Sequence, residues 1–415
     1  MTQTAKAADV PADRPGPDLR TPFDDARSLF LAVYLTLVGY GVMVGIPVIS
    51  TAWVELLGFT ESQVGRVAGA DLGGLALGSL LASLVMARWN RRWLAFAGII
   101  LAVAANGLCM QLVAYEQVLW LRVLAGVGSG VVCAVAVTTL GGSSKPARAY
   151  NIMLFAFAFS QAAEMQFLPM LPMNGIYGAF ILFFLLPVPL LRWLPARPDP
   201  VPAGELSVIR DGAAPQPPPA LPWLCLAAIF FTYVNIGTYW TYIELASLDA
   251  GIEADWVGRL LVIVSLGSFL GCLVATLISD RFGLARPLLA TLAVMAAIVG
   301  ILVPGIDYPN LLVSLALFNF LWIFIDVYQM GTVAVIDRRG VFAALMPGAQ
   351  GLGQIVGPNL AATVLDQGQG YGTIFAFCAA SALVAMLIYG LMLARVRRSV
   401  PELAARPART RPTAP

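Results

Sequence analysis

Four acidic residues stand inside long apolar runs of the sequence: Asp71, Glu164, Glu244 and Asp326. A charged side chain at the centre of a bilayer costs upward of about 2.5 kcal/mol unless it is paired or wetted, so each is a functional candidate. Desolvation favours the neutral form of a carboxylic acid, which lets a buried one gain and lose a proton near neutral pH. The chain has no histidine, which leaves carboxylates to do any proton chemistry. Glu164 is the first candidate for coupling. It lies in the polar stretch Ser160-Gln161-Ala162-Ala163-Glu164-Met165-Gln166, with Gln161 one turn away on the same helix face. Arg122 keeps its proton under ordinary conditions and must be balanced by an acid or an anionic solute. A permanent pair with Glu164 is the static alternative to proton coupling, and Asp71 is the other available partner.

Aromatic and amide side chains gather in two further runs, Tyr233, Asn235, Tyr239, Trp240 and Tyr242 in one and Asn319, Trp322, Asp326, Tyr328 and Gln329 in the other. Aromatic faces with a few amides suit a planar or amphiphilic organic solute. The expected solute-binding set is Gln161, Asn235, Tyr239, Glu244, Asn319, Trp322 and Asp326. Two plainer readings stand beside it: Tyr and Trp near helix ends anchor the interface, and Glu244 is close enough to the end of its run to meet water. The five cysteines sit in apolar runs without CxxC spacing. No metal-ligand spacing and no phosphate-binding G-x-x-x-x-G-K-[ST] loop is present, so no cofactor, metal or enzymatic activity is expected.

The elements that must hold these groups are membrane helices. Of 415 residues, 59% are hydrophobic and 12% charged, with mean hydropathy +0.81, far from a soluble domain. A net charge of +2 gives no reason to expect nucleic acid. Twelve apolar runs are long enough to cross a bilayer, at 29–49, 64–87, 93–112, 118–140, 149–171, 176–194, 221–245, 256–279, 288–306, 310–336, 341–365 and 371–396. Unpaired backbone is intolerable in lipid and these runs are much longer than barrel strands, so the fold class is all-α and polytopic. Proline-rich stretches divide the chain: a disordered tail (1–27), a six-helix bundle (28–194), a linker (195–221), a second six-helix bundle (222–396) and a second tail (397–415). All basic residues except Arg66, Arg122 and Arg259 fall on one side, which puts both termini in the cytoplasm.

A shift of 193 residues superposes the halves. It carries Gly58 onto Gly251, Gly65-Arg66 onto Gly258-Arg259, Gly74 and Gly78 onto Gly267 and Gly271, and Gln161 onto Gln354. The chain therefore reads as a duplicated six-helix unit. Its glycines, spaced a turn apart, are expected to let helix backbones approach.

With these runs goes a loop, Asp280-Arg281-Phe282-Gly283-Leu284-Ala285-Arg286, that resembles the D-R-x-G-x-x-R signature of the Major Facilitator Superfamily, the twelve-helix secondary transporters. Arg122 followed by Gly126, Gly128 and Gly130 resembles a second marker. The resemblance covers roughly residues 28–396. It implies that Asp280, Arg281, Gly283 and Arg286 gate the cytoplasmic side, with Asp280 capping the fifth helix near Arg148, and that Arg122 joins Glu164 and Asp71 in proton transfer. The matching loop, Ala87-Arg88-Trp89-Asn90-Arg91-Arg92, lacks the aspartate, so a weaker latch or other groups are expected there. The G-x-x-x-G-P pattern of many drug/proton antiporters is missing from the fifth helix and appears in the eleventh as Gly353, Gly357 and Pro358. The resulting expectation is a monomeric transporter in the cell (inner) membrane. Its partners would be the lipid bilayer, a small organic solute, aromatic or anionic, and protons. Proton-coupled uptake is favoured, and proton-coupled export of drugs or metabolites is the alternative.

Overall fold

A computed structural model of the chain describes residues 22–86, 88–143, 146–196, 220–282, 284–336 and 341–399. Twelve α-helices follow one another among them. The first six are α1 (Ala26–Leu57), α2 (Glu61–Val85), α3 (Arg91–Cys109), α4 (Tyr115–Gly141), α5 (Pro146–Phe167) and α6 (Met173–Leu185). The second six are α7 (Ala220–Asp249), α8 (Ala254–Phe282), α9 (Ala285–Gly300), α10 (Tyr308–Ile336), α11 (Val341–Asp366) and α12 (Tyr371–Ser399). No strand occurs among the described residues. Residues 1–21 and 400–415 of the expected tails, and 197–219 of the expected linker, lie outside them.

Local chemistry sets the boundaries. α1 runs past its expected end at residue 49 to Leu57, where Gly58 takes the left-handed conformation (φ 70°) and its N–H closes on Trp53 and Val54 carbonyls. Gly251 makes the same turn between α7 and α8 (φ 80°), at the position the 193-residue shift assigns to it. The shift also carries Glu61, first in α2, onto Ala254, first in α8, and Tyr115 of α4 onto Tyr308 of α10. Backbone geometry thus repeats the duplication seen in sequence. The sixth run, expected as one helix, breaks at Pro187 into α6 and a short 3-10 turn, Val188–Trp193, because proline removes the N–H that would continue the ladder. Nine helices among the described residues are long and apolar enough to span a membrane, counting α6 with that turn. The other three are α9, at 16 residues, and α5 and α11, which carry Gln161 and Glu164 and the paired Gln350 and Gln354.

Contacts define two ends. At the proximal end the start of α1 meets the end of the first half: Arg27 lies over the Trp193 ring and Arg91 over Phe23. At the distal end, the turn after α1 meets the start of α4, with Phe59 on Tyr115, and the turn after α7 and the first turn of α8 meet the start of α10, with the Glu253 N–H and the Trp256 ring on Tyr308. Within the first half, α2 and α4 touch backbone to backbone. A Cβ at Gly78 would strike the Val127 carbonyl, and one at Gly126 or Gly130 the carbonyl of Asp71 or Leu75. The opposite side of α2 meets α11 of the second half, Gly73 lying 3.1 Å from Ile355 on the same measure. The packing reading holds for Gly271, which faces the Phe320 carbonyl, whereas Gly267 faces open space. Gly126→Val is expected to lower stability by about 1–3 kcal/mol through overpacking at this crossing, read as an earlier thermal unfolding midpoint of the purified protein.

Candidate functional site

The deepest charges form a closed unit in the first half. Arg122 of α4 makes an ion pair with Asp71 of α2, both side chains being at most 2% exposed. Its Nη1 donates to Asn106 Oδ1 of α3 at 2.8 Å, and its guanidinium lies 5.9 Å from the Tyr177 ring centre. The Tyr177 hydroxyl in turn accepts from Trp53 Nε1 at 3.1 Å. Asp71, not Glu164, is therefore the partner of Arg122. The repeat positions in the second half are Val264, Leu315 and Val299, all buried and apolar. An ion pair and an amide thus occupy sites that the other half fills with hydrocarbon. A buried ion pair rarely outdoes well-packed apolar residues for stability, so helix packing does not by itself require this one.

Glu164 stands apart from every cation among the described residues. Its carboxylate lies against the glycines of α1: a Cβ at Gly45 would come within 2.7 Å of Oε2, and one at Gly41 within 3.4 Å of Oε1. Ser160 Oγ donates to Oε1 at 3.4 Å, and Oε2 is buried without a hydrogen-bond partner. The same crossing in the second half has its sizes exchanged. There Gly357 of α11 faces Thr238 of α7, and these are the repeat positions of Glu164 and Gly45. The space Glu164 occupies exists because α1 has glycine where α7 has threonine.

Polar and aromatic groups from both halves meet at the seam. Gln161 of α5 donates to Asn319 Oδ1 of α10 at 3.4 Å. Trp240 of α7 donates to the Val44 carbonyl of α1 at 3.2 Å, and its ring is 5.8 Å from Trp322. Asp326 accepts from the Tyr233 hydroxyl at 2.7 Å, and that hydroxyl accepts from Gln350 Nε2 at 3.0 Å. Gln161, Asn319, Trp322 and Asp326 are thus assembled near one another. Asn235 and Tyr239 are not. Asn235 donates to the Cys378 carbonyl and Tyr239 stacks on Phe318 at 3.8 Å with its hydroxyl on Ser314, so both face the interior of the second half. Tyr233 and Gln350, hydrogen-bonded into the seam, stand outside the expected solute-binding set. So does Tyr40, the 193-residue repeat mate of Tyr233.

Glu244 lies at the distal end, lining a cleft of 490 Å³ between the halves. Of the expected gating residues, Gly283 and the side chains of Asp280 and Arg281 lie outside the described residues, as does Ala87; Arg286 is exposed at the proximal end. Arg91 and Arg92, in the loop that lacks the aspartate, bind their own half: the Arg91 N–H donates to the Ala196 carbonyl and Arg92 Nε to that of Leu194. A contact between halves appears instead at the distal end, where Arg66 of α2 pairs with Asp366 of α11. Ser62 and Arg66 hydrogen-bond the Asp366 carboxyl and hold it below its ordinary value of 3.8. A depressed value means the pair persists above the ordinary range and is lost only as pH falls through the lowered one. We expect Arg66→Ala to speed thiol labelling of Ile355→Cys, on a chain stripped of native cysteines, by a few-fold. The ratio of the two rates at each pH, in which ionisation of the thiol cancels, should hold through neutral pH and fall toward one only in acid that protonates Asp366.

The Major Facilitator Superfamily model matches residues 30–336. The chain belongs to the Major Facilitator Superfamily. Among curated superfamily relatives, it is 24% identical over 332 residues to the uncharacterised MFS-type transporter YceJ of Bacillus subtilis (strain 168), covering 76% of this chain and 83% of that one. It is 26% identical over 239 residues to the chloramphenicol resistance protein of Streptomyces lividans, covering 54% and 59%. Among solved structures, the D-xylose-proton symporter superposes with TM-score 0.67 at 17% identity over 87% of this chain and 96% of that one. The human organic anion transporter MFSD10 gives 0.62 at 14%, over 87% and 97%. At these identities the structural matches establish the twelve-helix, two-half fold. Superfamily membership makes the chain a multi-pass membrane transporter.

Proposed function

We propose that the chain is a proton-coupled secondary transporter that takes up a small organic solute by alternating access, with Glu164 carrying the proton. The observation that carries this reading is the state of Glu164: half-buried, without a cation among the described residues, with Oε2 buried and unpartnered while Arg122 is already held by Asp71. A neutral Glu164 fits the dry contact with Gly41 and Gly45. A charged one needs water, which it gains only when α1 and α5 open to one side. Proton binding and the rocking of the two halves are then one equilibrium, biased further by solute at the seam. Gln161, Asn319, Trp322 and Asp326 form the solute site, with Trp240 and Tyr233 beside them. Because Asp71 neutralises Arg122, an anionic cargo is not needed to balance it. The location is the cell (inner) membrane with both termini in the cytoplasm, supported by the distribution of Lys and Arg, and the working unit is a monomer. Export by proton exchange is the second reading, favoured by the relative named for chloramphenicol resistance.

Purified protein in liposomes with a trapped pH dye separates the two, because the sign of the pH change does not depend on insertion orientation. Internal acidification on adding external solute is the expected result for symport. Alkalinisation would establish exchange and make the exporter reading correct.

A further inference from the structure

The distal cleft offers a site that the transport reading does not use. Both halves line it: Val48, Thr51 and Glu55 of α1 and the segment from Met165 to Leu171 after and within α5 on one side, Glu244 and Leu248 of α7 with Asp255 and Arg259 of α8 on the other. Glu244 Oε2 is buried without a hydrogen-bond partner. The groups around that carboxylate are the Thr51 hydroxyl and the Glu55 carboxylate. Thr51 and Glu244 are repeat positions, so the cleft straddles the axis that relates the halves.

The same symmetry explains why the cleft stands open on one side. Across α2 and α11 the distal end is fastened by Arg66 to Asp366 and by the Tyr242 hydroxyl donating to the Glu61 carbonyl at 3.2 Å. Across α5 and α8 the fastening is not repeated. The mate of Arg66 is Arg259, but the mate of Asp366 is Met173, and Arg259 Nε donates to the Asp255 carbonyl of its own helix at 3.2 Å. At the distal end, among the described residues, the seam is therefore latched along one edge and parted along the other, and the parted edge is the cleft.

Its chemistry selects a class of ligand. Three carboxylates, Glu55, Glu244 and Asp255, outnumber the single cation Arg259 on the walls, while Met165, Leu168, Met170 and Leu171 supply apolar surface. A carboxylate with an unmet acceptor beside a second carboxylate favours a cation and repels an anion. We propose that this cleft is a binding site for small organic ammonium ions, with Glu244 as the anchoring charge, Glu55 as its support and the α5 end as the apolar wall. This deepens the transport reading by naming the charge of solute admitted from the distal side, and its test needs no transport.

The experiment is calorimetric titration of the purified full chain with benzyltrimethylammonium and with benzenesulfonate, which share a ring and differ in the sign of their charge. The cation is expected to bind saturably and the anion not. Glu244→Gln should weaken the cation by at least about tenfold, and Glu55→Gln by a smaller factor. Glu116→Gln, which removes an exposed acid in the first turn of α4 outside the cleft, should leave cation binding within about twofold. Equal binding of both probes, no saturable binding of the cation, or undiminished binding in Glu244→Gln would overturn the proposal. If Glu244→Gln does not fold, unchanged binding in Glu55→Gln overturns it. Loss of coupled transport in any variant bears on the transport reading and leaves this result untouched.

Discussion

Glu164→Gln is expected to abolish solute accumulation driven by a pH gradient while leaving solute-for-solute counterflow within about twofold of wild type. Glutamine keeps the shape of a protonated glutamate and its hydrogen bond with Ser160, so the contact with Gly41 and Gly45 survives. What it removes is the charged state, and with it the need for water that ties opening of α1 from α5 to proton release. Accumulation should fall by at least about tenfold and lose its pH dependence, because the transporter becomes a facilitator. A companion substitution tests the geometry. Gly45→Ala places a methyl within 2.7 Å of Oε2 on the unshifted backbone and should slow both modes together, since it obstructs the closed contact itself.

Asp71→Asn should act differently, through folding. It leaves the Arg122 charge buried with the neutral Asn106 amide as its hydrogen-bond acceptor, a loss of about 3–5 kcal/mol for a broken buried pair. The thermal midpoint of the purified protein should drop accordingly, and expression with it. The second half suggests the control. Replacing the three groups together by the residues of their repeat positions, Asp71→Val, Arg122→Leu and Asn106→Val, should restore stability to within about 1 kcal/mol of wild type or better. If transport nonetheless fails in that triple variant, the polar unit serves the conformational cycle rather than the fold. If the triple variant is as unstable as Asp71→Asn, the repeat is a poor guide to how this crossing packs.

The helices were legible because lipid imposes a single requirement, an apolar helix of sufficient length: each of the twelve runs holds a helix, nine of them long and apolar enough to span when α6 is counted with its 3-10 turn. The duplication was legible too, since Gly58 and Gly251 must both adopt a left-handed turn that other residues resist. Where α6 gives way to a 3-10 turn, Pro187 and Pro189 were visible, but an apolar run does not reveal which proline ends the ladder. The site was legible in its members and not in its pairings. Asp71, Arg122 and Glu164 were each conspicuous as charges in apolar runs, but which acid meets the arginine depends on helix rotation and depth. Arg122 and Asp71 are brought together by the glycine crossing of α2 and α4, a feature that sequence shows only as spacing. Asn235 and Tyr239 resemble Asn319 and Trp322 in composition and differ only in the face they present. Arg66 was noticed for its place in the repeat, and its partner lies 300 residues away on another helix.

The central claim is that solute and proton meet through Glu164, and proton release in a lightly buffered solution tests it without a membrane. A solute identified in the liposome assay would be added to purified wild-type protein and to Glu164→Gln in the presence of a pH indicator. Wild type is predicted to take up or release protons in proportion to bound solute, and Glu164→Gln to bind solute with no pH change. Equal proton signals from the two proteins would contradict the claim and move the coupling group to another carboxylate, with Asp326 the next to test.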